Sequence, residues 1–274
     1  MALTVGNGPF GATPSGSFNF TYDAPARVLY LEHNPRRIRA VIDGQTVVDS
    51  RRARLLHETE LMPVHYFPAE DVRLDLLEPT DHTTHCPYKG DASYWTVTAG
   101  DRHRQNALWS YREPLAGARG LAGLMALYWD AVDEWWEEAE RAEVHPRDPY
   151  HRCDVVRSDR HVIVRLGDHV LADSRQPTML FETGLPPRFY LPLQDVSLAF
   201  LETSDRQTQC PYKGHTNRYY TASVGGVRSE DVAWVYKEPY AEVRGIEGLV
   251  AFYNEKVDLE VDGEVWERPT TRLV

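Results

Sequence analysis

The sequence has few cysteines, no long apolar run and no surplus of basic residues. Three cysteines in 274 residues are too few for a disulfide framework, so we expect reduced thiols and a cytoplasmic protein. No stretch approaches the roughly 18 consecutive apolar residues of a transmembrane helix, and the first residues lack the basic and apolar regions of a signal peptide. Lys and Arg number 30 against 41 Asp and Glu, a net charge of −11. This balance argues against binding to nucleic acid or to an anionic membrane.

Familiar metal and nucleotide motifs are also missing. The sequence contains neither a CxxC pair nor an HExxH motif, so we predict no metal site. It also lacks a GxxxxGK[ST] loop and a Gly-Ser turn followed by paired aspartates. We therefore predict no bound cofactor.

What the sequence does contain is a long internal repeat. The motif CPYKG occurs at Cys86–Gly90 and again at Cys210–Gly214, an offset of 124 residues that becomes 125 after the motif. The same offsets relate Glu58 to Glu182, Tyr66 to Tyr190, Trp109 to Trp234 and Tyr111 to Tyr236. Such a period is the size of a domain rather than of a solenoid repeat. We therefore infer a gene duplication and expect the two repeats to pack on each other with pseudo-two-fold symmetry.

Composition divides the chain into five segments. Residues 1–25 are rich in Gly, Pro, Ser, Thr and Asn and predict a flexible leader. The charged stretch Glu140–Pro149 carries two prolines and no hydrophobic periodicity, which indicates a boundary. The resulting assignment is a first repeat over 26–140, a linker over 141–152, a second repeat over 153–267 and a tail over 268–274.

Within each repeat the hydrophobic pattern alternates with a period of two, as in β-strands. Ile38–Val48 carries Asp43-Gly44 between two β-prone runs, and this pattern predicts a hairpin. Only residues 120–128 and 245–253 place apolar side chains at helical spacing. The sequence therefore predicts a mainly β protein with two tandem antiparallel β domains, each with one short α-helix over these residues.

The repeated motifs resemble a known family, the domain of unknown function four-two-seven, also catalogued as nucleotidyltransferase-like. The resemblance rests on THCPYKGDASYW, ALWSYREP and GLAGLMALY in the first repeat, and on TQCPYKGHTNRYY, VAWVYKEP and GIEGLVAFY in the second. It covers roughly 36–135 and 158–262. The resemblance implies a beta-tent-type fold, in which two antiparallel sheets meet at an angle over a ligand pocket. It implies no particular reaction.

The CPYKG motif is the first candidate site. Pro fixes φ and Gly permits a positive φ, so the motif predicts a tight turn. Such a turn can hold Cys86 close to Lys89, and Cys210 close to Lys213. A nearby ammonium lowers the pKa of a thiol and makes it a nucleophile or a binding group. The alternative is a buried cysteine beneath a rigid turn, with the lysine at the surface.

Glu58 and Glu182 form the second candidate, because each follows an apolar run and precedes an aromatic strand. A carboxylate pointing into a cleft can accept hydrogen bonds from a ligand or act as an acid or base. The alternative is an ion pair that keeps a half-buried carboxylate satisfied. For that pair the sequence offers Arg51 or Lys89 in the first repeat and Arg175 or Lys213 in the second.

Repeated aromatic residues form the third candidate. Aromatic side chains with polar tips can line a pocket for a planar or cationic molecule, or they can be core residues. The predicted ligand-binding residues are Tyr66, Tyr88, Trp95, Trp109, Tyr111, Tyr190, Tyr212, Tyr220, Trp234 and Tyr236, and Tyr94 and Tyr219 belong to the same pattern. We therefore predict a small-molecule-binding protein with a pocket near the CPYKG turn of each repeat. The alternative is an enzyme that uses Cys or Glu on a small metabolite.

Overall fold

The structure is a computed structural model that describes residues 3–21 and 25–270. The chain divides into two compact units between Tyr150 and His151, which we call unit 1 and unit 2. Residues 1–2 and 22–24 of the predicted leader and 271–274 of the predicted tail lie outside the described residues. None of the helices in the described part is long and apolar enough to cross a membrane.

Unit 1 contains two antiparallel sheets. Its strands are β1 Leu29–His33, β2 Ile38–Ile42, β3 Gln45–Ser50, β4 Arg54–Glu58, β5 Leu61–Pro68, β6 Leu77–Cys86, β7 Gly90–Ala99, β8 Arg102–Ser110, β9 Leu124–Leu127, β10 Glu134–Glu137 and β11 Glu140–Ala142. A seven-stranded sheet has the order β1-β4-β5-β9-β8-β7-β6, and a four-stranded sheet has the order β11-β10-β2-β3.

Unit 2 repeats this plan. Its strands are β12 Cys153–Arg157, β13 Val162–Leu166, β14 His169–Ser174, β15 Thr178–Glu182, β16 Arg188–Leu191, β17 Leu201–Ser204, β18 Thr208–Cys210, β19 Gly214–Thr216, β20 Arg218–Val224, β21 Val227–Val235, β22 Val250–Phe252, β23 Asp258–Val261 and β24 Glu264–Trp266. The sheets are β12-β15-β16-β22-β21-β20-β17, β14-β13-β23-β24 and the separate pair β18-β19. The predicted mainly β fold with two antiparallel domains is confirmed.

Every helix in residues 3–21 and 25–270 is a short 3-10 helix. They span Ala69–Asp71, Leu74–Leu76, Ala116–Leu121, Trp129–Ala131, Leu193–Asp195, Leu198–Phe200 and Ala241–Ile246. The predicted α-helices over 120–128 and 245–253 are therefore wrong, because each range begins at the end of a 3-10 helix and then contains a strand, β9 or β22. Both strands lie in the middle of a sheet, and Met125, Ala126 and Leu127 are all buried. A strand covered on both faces gives a continuous apolar run, which periodicity cannot distinguish from a helix.

The predicted hairpin over 38–48 is confirmed. Asp43 and Gly44 have φ angles of +48° and +71°, and they connect β2 to β3 with Ile42 opposite Gln45. Positive φ at both central residues is the requirement of the tight turn that Asp-Gly favours. The local sequence favours this turn, and Asp43 also accepts a hydrogen bond from the N–H of Asp101 and donates its own N–H to Asp133.

The two faces of the seven-stranded sheet have different roles. In unit 1, Phe67 and Leu108 pack with Ile38 and other residues of the four-stranded sheet to form the main core. Their chain neighbours Tyr66 and Trp109 lie in a second cluster, because successive side chains of a strand point to opposite faces. Unit 2 has the same division into two clusters. The repeated Tyr and Trp residues of the second cluster therefore lie on the face away from the four-stranded sheet.

Part of the predicted leader contacts unit 1. The Thr4 side chain is buried, and its Oγ1 donates a hydrogen bond of 3.2 Å to the carbonyl of Glu58. Glu60 Oε1 accepts hydrogen bonds of 2.8 and 3.0 Å from the backbone N–H groups of Gly6 and Ala12. These contacts fasten the turn between β4 and β5, where the candidate carboxylate Glu58 lies.

Candidate functional site

The CPYKG turn connects β6 to β7 and fixes the position of a lysine. Gly90 has a φ of +101°, and a Cβ there would lie 3.4 Å from the carbonyl oxygen of Glu113. The carbonyl of Lys89 accepts a 3.0 Å hydrogen bond from the N–H of Leu115. In unit 2, Gly214 has a φ of +98°, and Tyr240 donates to Lys213 in the same way at 3.1 Å. The final glycine is therefore needed for its backbone conformation in both units.

A buried ion pair joins this turn to the end of β4. Lys89 Nζ donates to Glu58 Oε2, and Lys213 Nζ donates to Glu182 Oε2 in unit 2. The side chains of the second pair are 12% and 4% exposed. Charges buried to this degree require a partner. The partner of each glutamate is thus the lysine of CPYKG, which was one of the two partners that the sequence offered.

Electrostatic attraction outweighs burial in the unit 2 pair. Burial by itself raises the pKa of Glu182, but Lys213 and His151 lower that pKa to about 2. Burial likewise lowers the pKa of Lys213, yet the Glu182 carboxylate raises it well above its usual value. Both groups are therefore charged near neutral pH. A carboxylate held ionised and hydrogen-bonded on both oxygens is poorly suited to accept a proton from a substrate.

A third residue completes each pair, and it differs between the units. In unit 1, Arg27 Nη1 donates to Glu58 Oε1 at 2.9 Å, and the Arg27 guanidinium lies 5.3 Å from the ring centre of Tyr88. The corresponding residue in unit 2 is His151, whose Nε2 lies 3.2 Å from Glu182 Oε1. Its ring stacks on Tyr212 at 3.8 Å. The two tyrosines of the motif therefore pack against this third residue.

The two cysteines of unit 2 lie close to the ion pair, and their thiols are not activated. Cys86 is half-buried and packs against the second cluster of unit 1. Burial raises the pKa of the Cys210 thiol although Lys213 opposes the shift. Burial and then the Glu182 carboxylate raise the pKa of Cys153 to about 12. In unit 2 these thiols are protonated near neutral pH and are poor nucleophiles.

One set of side chains in the described residues combines metal-ligating atoms. Potential ligand atoms of His151, Cys153 and Glu182 lie within 4.8 Å of one another. However, the Lys213 ammonium is bonded to the same carboxylate, and a second cation there would be repelled. The matching unit 1 positions of His151 and Cys153 are Arg27 and Leu29, which cannot ligate a metal. The set therefore fits an ion pair better than a metal centre.

Unit 1 carries a cavity of about 340 Å³ above the ion pair. Its lining residues are Leu56, Glu58, Leu61, Met62, Val64, Tyr66, Lys89, Tyr94, Trp109, Tyr111 and Tyr128. Five of them are aromatic, and they come from β5, β7, β8 and the residues that follow β8 and β9. The apolar rim residues Leu61 and Met62 are exposed. The cavity therefore combines an aromatic wall with a charged pair.

Hydrogen bonds fix the orientation of the aromatic wall. Trp109 Nε1 donates to Tyr66 Oη at 3.2 Å. The Tyr94 hydroxyl pairs with Thr84 Oγ1 at 2.8 Å. The rings of Trp109 and Tyr128 are 4.5 Å apart, and burial raises the pKa of Tyr128 to about 12. The Tyr128 phenol is thus neutral near pH 7, and hydrogen bonds hold the side chains of Trp109 and Tyr94 in place.

In unit 2 an arginine covers the matching aromatic surface. Arg188 occupies the position of Val64, and its side chain is 7% exposed. Its guanidinium carbon lies 5.9 Å from the ring centre of Trp234 and 5.7 Å from that of Tyr253. Two hydrogen bonds of 2.7 and 2.6 Å join it to both oxygens of Glu255. Unit 2 therefore fills this part of the surface with its own side chain.

The predicted site residues divide into three groups. The cavity brings together Glu58, Lys89, Tyr66, Trp109 and Tyr111. In unit 2, Glu182 and Lys213 form the ion pair. The aromatic counterparts Tyr190, Trp234 and Tyr236 lie in the second cluster of that unit. Tyr88 and Tyr212 pack on Arg27 and His151. Trp95 and Tyr220 lie on the other face with the main cores, because each follows a pocket-face tyrosine by one position. The structure therefore does not bring this pair to the cavity, and it packs with the main cores instead.

Several residues of the site were not among the predicted site residues. Tyr128 and Tyr253 are aromatic in both repeats, a signal that the predicted helix obscured. Leu61, Met62 and Val64 carry no chemical signature. Arg188 could have been found, because it replaces Val64 at a position between a proline and a tyrosine that recur in both repeats. A charged residue in place of an apolar one marks a difference between the units.

Comparison with known families identifies both units. A family model described as a domain of unknown function (DUF427) matches residues 30–138 and 154–263. The chain therefore belongs to this family and contains two tandem copies of its domain, as the motifs indicate. A search of curated proteins finds no match.

Proposed function

We propose that unit 1 binds a small molecule in the cavity beside Trp109 and Tyr128, and that unit 2 holds the same surface closed with Arg188. The observation that carries this proposal is the contrast between the two copies. Tyr128 is 48% exposed, whereas its counterpart Tyr253 is half-buried. Likewise Trp109 is half-buried, whereas its counterpart Trp234 is 7% exposed beneath Arg188. Tyr128, Leu61 and Met62 are exposed around this cavity, and an exposed apolar patch at a concave site is typical of a ligand-binding surface.

The composition of the cavity supports the proposal. Small-molecule sites are concave and mostly apolar, with a few fixed polar groups that orient the ligand. The aromatic wall and the Leu61–Met62 rim provide the apolar part. Glu58 and Lys89 provide the polar part, and the ion pair holds both in place. We also take the units to be beta-tent-type domains, since a pocket on one of two sheets suits that class.

The test is a ligand screen with the full chain and a variant that copies unit 2. Metabolite-sized compounds are screened by thermal shift, and hits are measured by isothermal titration calorimetry. Val64→Arg is expected to weaken the binding of a hit about tenfold or more, equivalent to about 1.4 kcal/mol. Val227→Arg places the same side chain at an exposed strand position and is the matched control. Hits that bind Val64→Arg as well as they bind the unchanged chain would contradict the proposal.

A further inference from the structure

The aromatic pair beside the cavity has the same geometry in both units. The rings of Trp109 and Tyr128 are 4.5 Å apart with an interplanar angle of 40°. The rings of Trp234 and Tyr253 are 4.4 Å apart at 47°. The neighbouring tyrosine is held by a threonine in each unit, at 2.8 Å in both cases. The two surfaces therefore offer the same aromatic faces.

In unit 2 this surface already holds a cation. The Arg188 guanidinium lies within 6 Å of both ring centres, the range in which a ring face attracts a positive charge. Glu255 binds both terminal nitrogens, and such fork-shaped pairing is specific to a planar guanidinium. Unit 2 thus shows which chemical group the surface accommodates.

Unit 1 keeps this surface and a carboxylate but lacks the guanidinium. Val64 replaces Arg188, and Asp130 occupies the position of Glu255, two residues after the tyrosine of the pair. Asp130 is exposed, and its side chain is one methylene shorter than that of glutamate. Unit 1 therefore has space where unit 2 has its own arginine.

We infer that the unit 1 cavity takes a small molecule that carries a guanidinium, which lies over Trp109 and Tyr128 and pairs with Asp130. This inference rests on the proposed function and specifies its ligand. A planar guanidinium is weakly hydrated, so an aromatic face and a carboxylate can replace its water. The Lys89 ammonium is bonded to the Glu58 carboxylate, which offsets its charge in part while also pairing with Arg27. The matching Lys213–Glu182 pair coexists with Arg188 in unit 2.

The first test compares L-arginine with L-citrulline by calorimetry on the full chain. The two compounds share their length and planar head group and differ in charge. We expect L-arginine to bind at one site per chain and L-citrulline to bind about tenfold more weakly, since the loss of a cation–π contact and an ion pair has this order of effect. Equal affinity for both compounds would overturn the inference.

The second test exchanges the distinguishing residues between the units. Val64→Arg with Asp130→Glu gives unit 1 the unit 2 residues and is expected to abolish L-arginine binding. Arg188→Val with Glu255→Asp gives unit 2 the unit 1 residues and is expected to raise the stoichiometry from one site to two. If the second variant fails to fold, the first still decides the outcome. Unchanged L-arginine binding in the first variant would overturn the inference.

Failure of the inference is distinguishable from failure of the proposed function. A screening hit that binds the full chain, is lost in Val64→Arg and is not displaced by L-arginine would leave the proposed function standing. The same result would refute a guanidinium ligand. If neither L-arginine nor any screened compound responds to Val64→Arg, both proposals fall.

Discussion

Units 1 and 2 share a buried lysine–glutamate pair but differ in what covers the aromatic surface beside it. The pair and the glycine turn that positions the lysine are the same in both copies. The surface is open in unit 1 and covered by Arg188 in unit 2. The comparison separates two kinds of residue. Residues that recur in both copies form the turn and the ion pair, and residues that differ decide whether the aromatic surface is covered.

The largest expected effect tests whether the shared ion pair is structural. Lys213→Met leaves the Glu182 carboxylate buried with His151 as its remaining partner, and removal of one partner of a buried pair costs about 3–5 kcal/mol. The free energy of unfolding of unit 2 should fall by this amount in urea denaturation, with hydrogen-exchange mass spectrometry used to follow each unit separately.

Two controls sharpen this prediction. Lys89→Met should cost less than Lys213→Met, because the Arg27 guanidinium remains bonded to Glu58 at 2.9 Å. Arg73→Met breaks an exposed pair with Asp75 and should leave the urea midpoint almost unchanged. If Lys213→Met behaves like Arg73→Met, the buried pair does not stabilise the domain.

Acid should destabilise unit 2 through the same pair. The folded pKa of Glu182, about 2, lies below its ordinary value of 4.5. Its stabilisation is therefore fully present above pH 4.5 and is lost as the pH falls toward 2. The loss should reach about 3 kcal/mol, measured as the change in unfolding free energy of unit 2 between pH 6 and pH 2.5. Glu182→Gln should reduce this pH dependence, and an unchanged slope in that variant would contradict the assignment.

Gly90 and Gly214, the glycines of the two CPYKG turns, should contribute equally to the stability of their units. Ala at Gly90 or Gly214 must adopt a φ near +100° and approach a carbonyl oxygen at 3.4 or 3.3 Å. Strain of this kind costs about 1–3 kcal/mol, so each variant should lower the melting temperature of its own unit. Gly117→Ala is the matched control, because nothing lies within 4 Å of its new Cβ. If Gly90→Ala lowers the melting temperature of unit 1 but Gly214→Ala leaves that of unit 2 unchanged, the two turns are not structurally equivalent.

The smallest effect is expected where the units differ beside the ion pair. Arg27→His gives unit 1 the residue that unit 2 has at this position. The Arg27 side chain is 32% exposed, so solvent screens its charge and the loss should be about 0.5 kcal/mol. Urea denaturation of unit 1 measures it. A loss as large as that of Lys89→Met would show that Arg27, and not Lys89, is the main partner of Glu58.

Local features of the fold were predictable from the sequence. The Asp43-Gly44 hairpin and the CPYKG turn follow from backbone preferences of Gly, Asp and Pro. The alternation of apolar and polar side chains predicted many of the strands, because successive side chains of a strand point to opposite faces of its sheet. β9 and β22 were misassigned, since a strand buried on both faces has no alternation to reveal it. Correct assignment of β9 and β22 requires knowledge of the strands that pair with them on each side in the sheet.

The candidate site was only partly predictable. Repetition singled out Glu58, Lys89, Tyr66, Trp109 and Tyr111, which the fold brings together. It also singled out Trp95 and Tyr220, because composition does not specify the face of a strand. A one-residue step moves a side chain to the opposite face of the sheet. The exact strand register decided which aromatic residues reach the cavity.

By itself, the sequence determined that this protein contains two tandem copies of one β domain, each with a tight CPYKG turn. Such features depend on residues close together in the chain, whose backbone preferences act locally. Tertiary structure alone decided that Glu58 pairs with Lys89, 31 residues away, and that Arg188 pairs with Glu255, 67 residues away. Sheet pairing sets these contacts. The surface is covered in unit 2, where the arginine at the position of Val64 pairs with Glu255, and it is open in unit 1.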